Sequence, residues 1–188
     1  MCCKLMPMKQ DANDGLHVNE LKAELVHRGF ETAADMARMR PDFYKPAGQR
    51  CPFQKHHKGC SIYNERPFGC RFWNCRWLVN DDTADLPRPD RAGYVIDLMP
   101  DYITVEGKDI EVVQVWLSHP DNHKDPKLRA YLARRGEEGK AAICRINERD
   151  AIILFPPALN DDGQWHERYS TANRGLHTPE ELHAFFDK

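Results

Sequence analysis

The stretch of the chain that decides its fold is residues 46–77, which reads PAGQRCPFQKHHKGCSIYNERPFGCRFWNCRW. Four cysteines, Cys51, Cys60, Cys70 and Cys75, lie in this polar, turn-rich segment, which has few aliphatic side chains. The spacers between them force the loops to fold back if the sulfurs are to meet, and strong metal–sulfur bonds favour such folding. We therefore predict that these four thiolates share a metal site.

Buried thiols and disulfides are the two alternatives for a chain with seven cysteines. A buried thiol packs as a small hydrophobe, which suits a polar segment poorly. Disulfides belong mainly to exported proteins, and the N-terminus lacks the apolar run of about 7–15 residues that a secretory signal needs. No apolar run approaches the roughly 20 residues that a membrane span requires. We expect a cytoplasmic protein with reduced cysteines and no membrane partner.

Charge is uneven along the chain. Residues 1–78 hold 13 Lys and Arg against 8 Asp and Glu, which is +5, and the remainder holds 14 against 21, which is −7, in agreement with the net −2. Four thiolates around Zn²⁺, or around an iron–sulfur core of charge +2, leave −2 at the site, which nearby basic side chains offset. A basic half would also suit nucleic acid, but the pI near 6.5 argues against that partner. The expected partner is a metal ion or cluster, and a protein partner stays unassigned.

Periodicity and turn residues predict the α+β class. We expect a helical hairpin over 16–40, and a helix that begins after Asp125-Pro126, runs to about Arg135 and stops at Gly136. A further short helix is expected to open at Thr178. The predicted strands are 94–99, 102–105 and 110–117, arranged as an antiparallel meander, followed by a hairpin of 141–146 with 151–155. We expect one domain over 1–188. Residues 1–78 hold the helical hairpin and the Cys-rich, metal-stapled loop region. This region is expected to pack on a small antiparallel sheet with a few short helices, formed by residues 79–188.

The cysteine segment also carries fixed neighbours. Cys51, the run Gly59-Cys60-Ser-Ile-Tyr63, the pair Arg66-Pro67, the pair Cys70-Arg71 and the element Cys75-x-Trp77 follow one another. This pattern resembles the YkgJ-type cysteine-cluster family, also called the CxxCxxCC zinc- or iron-chelating domain. The resemblance covers residues 46–77 together with Cys2-Cys3-Lys4. It implies a soluble bacterial protein whose cysteines jointly chelate zinc or iron, with an iron–sulfur cluster as one form of the centre.

The first motif of that family is only partly present. Its final cysteine pair corresponds to Cys2 and Cys3, which the resemblance therefore adds to the expected ligands. We interpret Met1 as an internal methionine, with two further cysteines expected upstream. Six thiolates exceed one tetrahedral site, so a cluster with spare ligands and a two-metal arrangement both stay open.

Other chemistry-bearing residues receive simpler interpretations. His56 and His57 are expected to be surface side chains, although they could complete a Cys/His site. His119 and His123 are placed in a turn, which argues against shared ligation. Cys144 alternates with apolar residues on a predicted strand and is expected to be a core thiol.

Three arginines follow or separate the cysteines, namely Arg66, Arg71 and Arg76. We expect Arg66 to anchor its loop through hydrogen bonds to carbonyls. All three could donate hydrogen bonds to ligand sulfurs and tune the charge of the site, or stand in solvent.

The sequence thus predicts a metal-binding protein without an assigned reaction. One alternative is a metal-dependent enzyme, redox or methyl-transferring, because a related cysteine cluster occurs in flagellin lysine methylases. The sequence contains no recognisable version of the rest of such an enzyme, and no catalytic residue can be named. The other alternative is an interaction module stapled by zinc. Phosphate-binding glycine loops and the serine-hydrolase elbow are absent from the sequence.

Overall fold

The computed structural model describes residues 2–10, 43–55, 58–66, 70, 73–171 and 175–177. The expected helical hairpin, the helix expected from Thr178, and His56, His57 and Arg71 lie outside these residues. Within them, no helix is both long enough and apolar enough to cross a bilayer.

The N-terminal part of the structure consists of short elements. They are helix α1 (Cys2–Leu5), strands β1 (Met8–Gln10), β2 (Phe43–Lys45), β3 (Gln54–Lys55) and β4 (Gly59–Cys60), a 3₁₀ turn (Tyr63–Glu65) and helix α2 (Arg76–Val79). β1 pairs with β2, and β3 pairs with β4, both antiparallel. Because these ladders are only two strands wide, they need the rest of the protein or a staple for stability.

One larger sheet forms the rest of the structure. Its elements are helix α3 (Pro89–Ala92), strands β5 (Tyr94–Ile96), β6 (Asp101–Val105) and β7 (Lys108–Leu117), helix α4 (Pro126–Glu137), and strands β8 (Ala141–Arg145), β9 (Ala151–Phe155), β10 (His166–Thr171) and β11 (Gly175–His177). The strand order is β11-β10-β9-β8-β7-β5, and β6 also pairs with β7. The expected α+β class is confirmed, as is the hairpin of β8 with β9.

The expected antiparallel meander of the first three strands is wrong in its strand order. β5 and β6 do not pair with each other; both pair antiparallel with β7, at Tyr94↔Leu117 and Asp101↔Val112. β7 then pairs with β8 in parallel. The reason lies in the connection, because α4 carries the chain back across the sheet, and parallel neighbours require such a crossover.

Helix α4 begins as expected and ends later. The Asp125 side chain accepts a hydrogen bond from the Leu128 backbone N–H at 2.9 Å, and Pro126 occupies the first helical position. Gly136 does not end the helix; it lies inside it, where an added Cβ would come within 2.5 Å of Pro156 Cβ. Glycine is therefore required there by close packing and not by helix termination.

The two faces of the large sheet bury different clusters. On one face, α4 contributes Leu128, Tyr131 and Leu132 to the main core, together with alternate residues of β7, which are Val113, Val115 and Leu117. On the opposite face, Trp116 and its cross-strand partner Val95 pack under the N-terminal elements. A strand that is buried on both faces explains why β7 is apolar at nearly every position of its second half.

Candidate metal centre

Cys51 and Cys60 belong to one small hairpin. The Gln54 N–H donates to the Cys51 carbonyl at 3.0 Å, and Gln54 lies opposite Cys60 in the ladder of β3 with β4. Gly59 has a φ of +79°, a left-handed conformation that glycine adopts at low cost. The turn and the hairpin together bring these two cysteine positions to neighbouring places in the fold.

Cys75 is buried, with 6% of its surface exposed, and it immediately precedes α2. Its carbonyl accepts a hydrogen bond from the Leu78 N–H at 3.0 Å, which fixes the first turn of that helix. Cys70 is half-buried. These are the third and fourth of the expected ligands.

Cys2 and Cys3 lie on α1, whose last residue docks against the chain that leads to Cys51. The Leu5 carbonyl accepts from the Gly48 N–H at 3.0 Å. Lys45, buried to 4% exposure, donates from Nζ to the Lys4 carbonyl at 3.3 Å. The same ammonium also donates to the carbonyls of Pro46 at 2.8 Å and Gln49 at 2.9 Å, so it ties α1 to the segment that precedes Cys51.

A second buried cluster joins these parts, and we call it the cysteine-side cluster. Its members are Leu5, Met6, Ala47, Cys75, Val95 and Trp116. It therefore contains the end of the helix that carries Cys2 and Cys3, one predicted ligand, and two residues of the large sheet. Leu5 and Cys75, which are 70 residues apart in sequence, therefore belong to one apolar cluster.

Hydrogen bonds also attach the cysteine-bearing region to the large sheet. Trp73 donates from Nε1 to Asp97 Oδ1 at 2.9 Å, just beyond β5. The Ala47 N–H donates to Glu148 Oε1 at 3.0 Å, in the turn between β8 and β9. The Trp77 indole N–H donates to the Leu86 carbonyl at 3.1 Å. The cysteine region is thus held by several directional contacts and not by packing alone.

The arginines of this region have defined partners. Arg66 donates from Nε to the Tyr63 carbonyl at 2.8 Å, as expected, and its guanidinium carbon lies 3.6 Å from the centroid of the Tyr63 ring. Arg76 donates from one NH1 group to Asp82 Oδ2 at 3.0 Å, which directs that group toward α4. Arg66 therefore fixes a turn, and Arg76 connects α2 to the main core.

The described cysteines are all thiols, because Cys51, Cys60, Cys70, Cys75 and Cys144 form no disulfide. Cys144 is fully buried in the main core, as expected, and burial raises its pKa to about 12. A thiol with so high a pKa stays protonated at neutral pH and is neither a good ligand nor a nucleophile. Cys144 thus stands apart from the other four.

Two buried polar atoms near the cysteines lack hydrogen-bond partners. They are the side-chain oxygen of Gln54, opposite Cys60, and the indole nitrogen of Trp116, in the cysteine-side cluster. Folded proteins leave few such atoms unsatisfied; among the described residues, single buried atoms of Arg76, Asp82, His123 and Arg135 are in the same state. Among the residues that the structure describes, no three His, Cys, Asp or Glu side chains are already arranged around a metal position.

His119 and His123 do not form a common site. His119 is exposed, whereas His123 is buried and its Nδ1 lies 2.6 Å from the Pro120 carbonyl oxygen. His123 Nε2 lies 3.4 Å from Glu167 Oε2, and Arg129 also pairs with that carboxylate. His123 and Arg129 hold the pKa of Glu167 at about 2. This group is an ionic contact between the 3₁₀ turn before α4, α4 itself and β10.

The structure is an α+β fold whose N-terminal region carries Cys51, Cys60, Cys70 and Cys75. Residues 1–87 match the family model described as "CxxCxxCC: Putative zinc- or iron-chelating domain". This match confirms the resemblance for that part of the chain. Metal chelation is the property that the family's description names. No curated protein and no solved structure matches the chain.

Sequence reasoning missed two residues that the structure brings to the site. Trp116 lay in a correctly expected strand, but only the structure shows that it shares a cluster with Cys75. Lys45, between Tyr44 and Pro46, carried no sequence signal that would have found it.

Proposed function

We propose that this protein binds zinc or iron at one centre built from Cys51, Cys60, Cys70 and Cys75, with Cys2 and Cys3 as additional ligands. The observation that carries the proposal is the convergence in the cysteine-side cluster. There the helix bearing Cys2 and Cys3 ends beside Cys75. This placement of α1 supports the inclusion of Cys2 and Cys3 in the proposed ligand set.

The donor set suits a thiolate-binding metal. Zinc takes four thiolates in tetrahedral geometry, and iron–sulfur clusters are held by the same ligand. The buried ammonium of Lys45 donates to the carbonyls of Lys4, Pro46 and Gln49, so it joins α1, which carries Cys2 and Cys3, to the segment that precedes Cys51. Six thiolates exceed the four of one zinc ion or of one iron–sulfur cluster, so the full set corresponds either to a cluster with spare ligands or to a two-metal arrangement.

The test is anaerobic purification followed by elemental analysis and absorption spectroscopy. We expect stoichiometric metal in the wild type. Charge-transfer absorption and a brown colour identify iron with sulfide, whereas a colourless protein with zinc identifies a zinc centre. A wild-type protein that binds neither metal with useful stoichiometry contradicts the proposal.

Single Cys→Ser variants assign the ligands. Cys51→Ser and Cys60→Ser are the most informative, because both positions are half-buried and serine is tolerated there sterically. Each is expected to lower the metal content by at least half. Cys144→Ser is the matched control, because its thiol lies in the main core, and its metal content should equal that of the wild type. Equal loss in all three variants would show that metal content follows folding and not ligation.

An interaction module stapled by metal is the second candidate function. Large apolar side chains are exposed next to the cysteines, namely Tyr63 at 60%, Leu78 at 63% and Val79 at 49%. Leu78 and Val79 lie on α2, directly after Cys75. If these residues bind a partner or a second copy, Leu78→Ser should reduce association in sedimentation experiments without changing the metal content. Unchanged association in this variant would leave metal binding as the function.

A further inference from the structure

We propose that Trp116 is a positioning residue of the metal centre, and that its indole N–H donates a hydrogen bond to a metal-bound cysteine thiolate in the cysteine-side cluster. This inference rests on the proposed metal site. It extends that site beyond residues 1–87, because Trp116 belongs to β7 of the large sheet.

The first argument is the state of the N–H group. Trp116 is 6% exposed, and its Nε1 has no hydrogen-bond partner. The other two tryptophans that border the same cluster are satisfied, Trp73 by Asp97 and Trp77 by the Leu86 carbonyl. A buried N–H without an acceptor is unfavourable. Because the neighbouring indole N–H groups of Trp73 and Trp77 both have acceptors, we infer that the N–H of Trp116 receives its acceptor when a ligand binds.

The second argument is the identity of the acceptor. The other buried members of the cluster are Leu5, Met6, Ala47, Val95 and Cys75. These side chains offer the indole N–H no oxygen or nitrogen acceptor; the sulfur atoms are the acceptors that they supply. A neutral thiol is a weak acceptor, whereas a thiolate bound to a metal carries negative charge and accepts strongly. Among the described residues of this cluster, Cys75 carries the thiol that metal binding would convert to a thiolate.

The third argument is the rigidity of the donor. Trp116 pairs with Val95 on one side and with Arg145 on the other, in the middle of the sheet. The Arg145 guanidinium carbon lies 5.7 Å from the centroid of the Trp116 ring. Because strands pair with β7 on both sides of Trp116, its indole N–H can orient a metal-bound cysteine without a rearrangement of the sheet. Residues around the metal ligands commonly tune a metal site through such hydrogen bonds.

The test compares Trp116→Phe with Trp77→Phe. Both changes keep a large ring and remove one indole N–H, but only Trp77 loses a hydrogen bond that exists before metal binds. We measure zinc affinity by competition with a chelator of known affinity, and the urea midpoint of the metal-free proteins. Trp116→Phe is expected to weaken zinc binding by about 10–100-fold with an unchanged or higher urea midpoint. Trp77→Phe is expected to lower the midpoint and leave the affinity within about twofold of the wild type.

A direct observation comes from the protein loaded with ¹¹³Cd in place of zinc. We expect a correlation between ¹¹³Cd and the Trp116 indole proton, transmitted through the hydrogen bond and the sulfur. Zinc affinity of Trp116→Phe within twofold of the wild type, or an equal loss in Trp77→Phe, would overturn the inference. A wild-type protein that takes up no metal would instead refute the proposed metal site, on which the inference depends.

Discussion

A charged cluster between α2 and α4 gives the sharpest prediction about how the cysteine region is held. Asp82 Oδ2 lies 3.0 Å from Arg76 NH1 and 3.2 Å from Arg135 NH1, and it accepts from the Tyr131 hydroxyl at 3.4 Å. Burial raises the pKa of Tyr131, so its hydroxyl remains a neutral donor. Arg76 directly follows Cys75, so this carboxylate connects the predicted metal ligand to the main core.

The perturbation is Asp82→Asn, which keeps the shape of the side chain and removes its charge. The side chains of Arg76, Arg135 and Asp82 are 20%, 16% and 20% exposed, so water screens the two ion pairs only in part. Breaking a fully buried pair costs about 3–5 kcal/mol, and exposed pairs contribute about 0–1 kcal/mol. We expect the free energy of unfolding to fall by about 2–3 kcal/mol, nearer the buried limit because two arginines lose one shared partner.

The assay is urea denaturation of the metal-free protein at pH 7, with Asp85→Asn as the matched control. Asp85 also pairs with an arginine of α4, Arg134, at 3.0 Å, but the two side chains are 55% and 42% exposed. Asp85→Asn should therefore cost no more than about 1 kcal/mol. A loss of less than about 0.5 kcal/mol in Asp82→Asn, or an equal loss in both variants, would refute the reasoning.

Two further predictions concern the main core. Because the pKa of Glu167 is lowered from 4.5 to about 2 by His123 and Arg129, its contribution to stability is complete above pH 4.5 and is lost as the pH falls toward 2. At about 1.4 kcal/mol per pKa unit, the contribution of Glu167 is roughly 3 kcal/mol. The urea midpoints of the wild type and Glu167→Gln should therefore converge as the pH falls through this range, and a constant difference between them would contradict the prediction. Gly136→Ala should lower the thermal midpoint, because the new methyl would lie 2.5 Å from Pro156 Cβ and overpacking costs about 1–3 kcal/mol. This cost outweighs the better helix propensity of alanine. A higher midpoint would show that Pro156 moves away freely.

Local signals in the sequence predicted local structure well. Asp125 and Pro126 marked the start of α4, and the alternation around Cys144 marked a core strand, because capping and burial depend on neighbours within a few residues. The meander failed because strand order depends on which edge of β7 is free and on the crossover through α4. Neither is encoded by turn residues such as those before Asp101.

The sequence also determined the chemistry of the candidate site but not its boundary. The spacing of Cys51, Cys60, Cys70 and Cys75 sufficed to predict chelation, because ligand type and loop length are properties of the chain itself. The match of residues 1–87 to a zinc- or iron-chelating family agrees with that prediction.

Only the tertiary structure decided which distant residues join the cysteines. Trp116 shares the cysteine-side cluster with Cys75, and Lys45 joins α1 to the segment before Cys51. No local pattern specifies the partner of a side chain across a sheet. Register fixes the face on which Trp116 lies, and a slip of one residue would turn it toward the main core. The sequence alone therefore named the predicted ligands, and packing decided which distant side chains, such as Trp116, lie in the same cluster as Cys75.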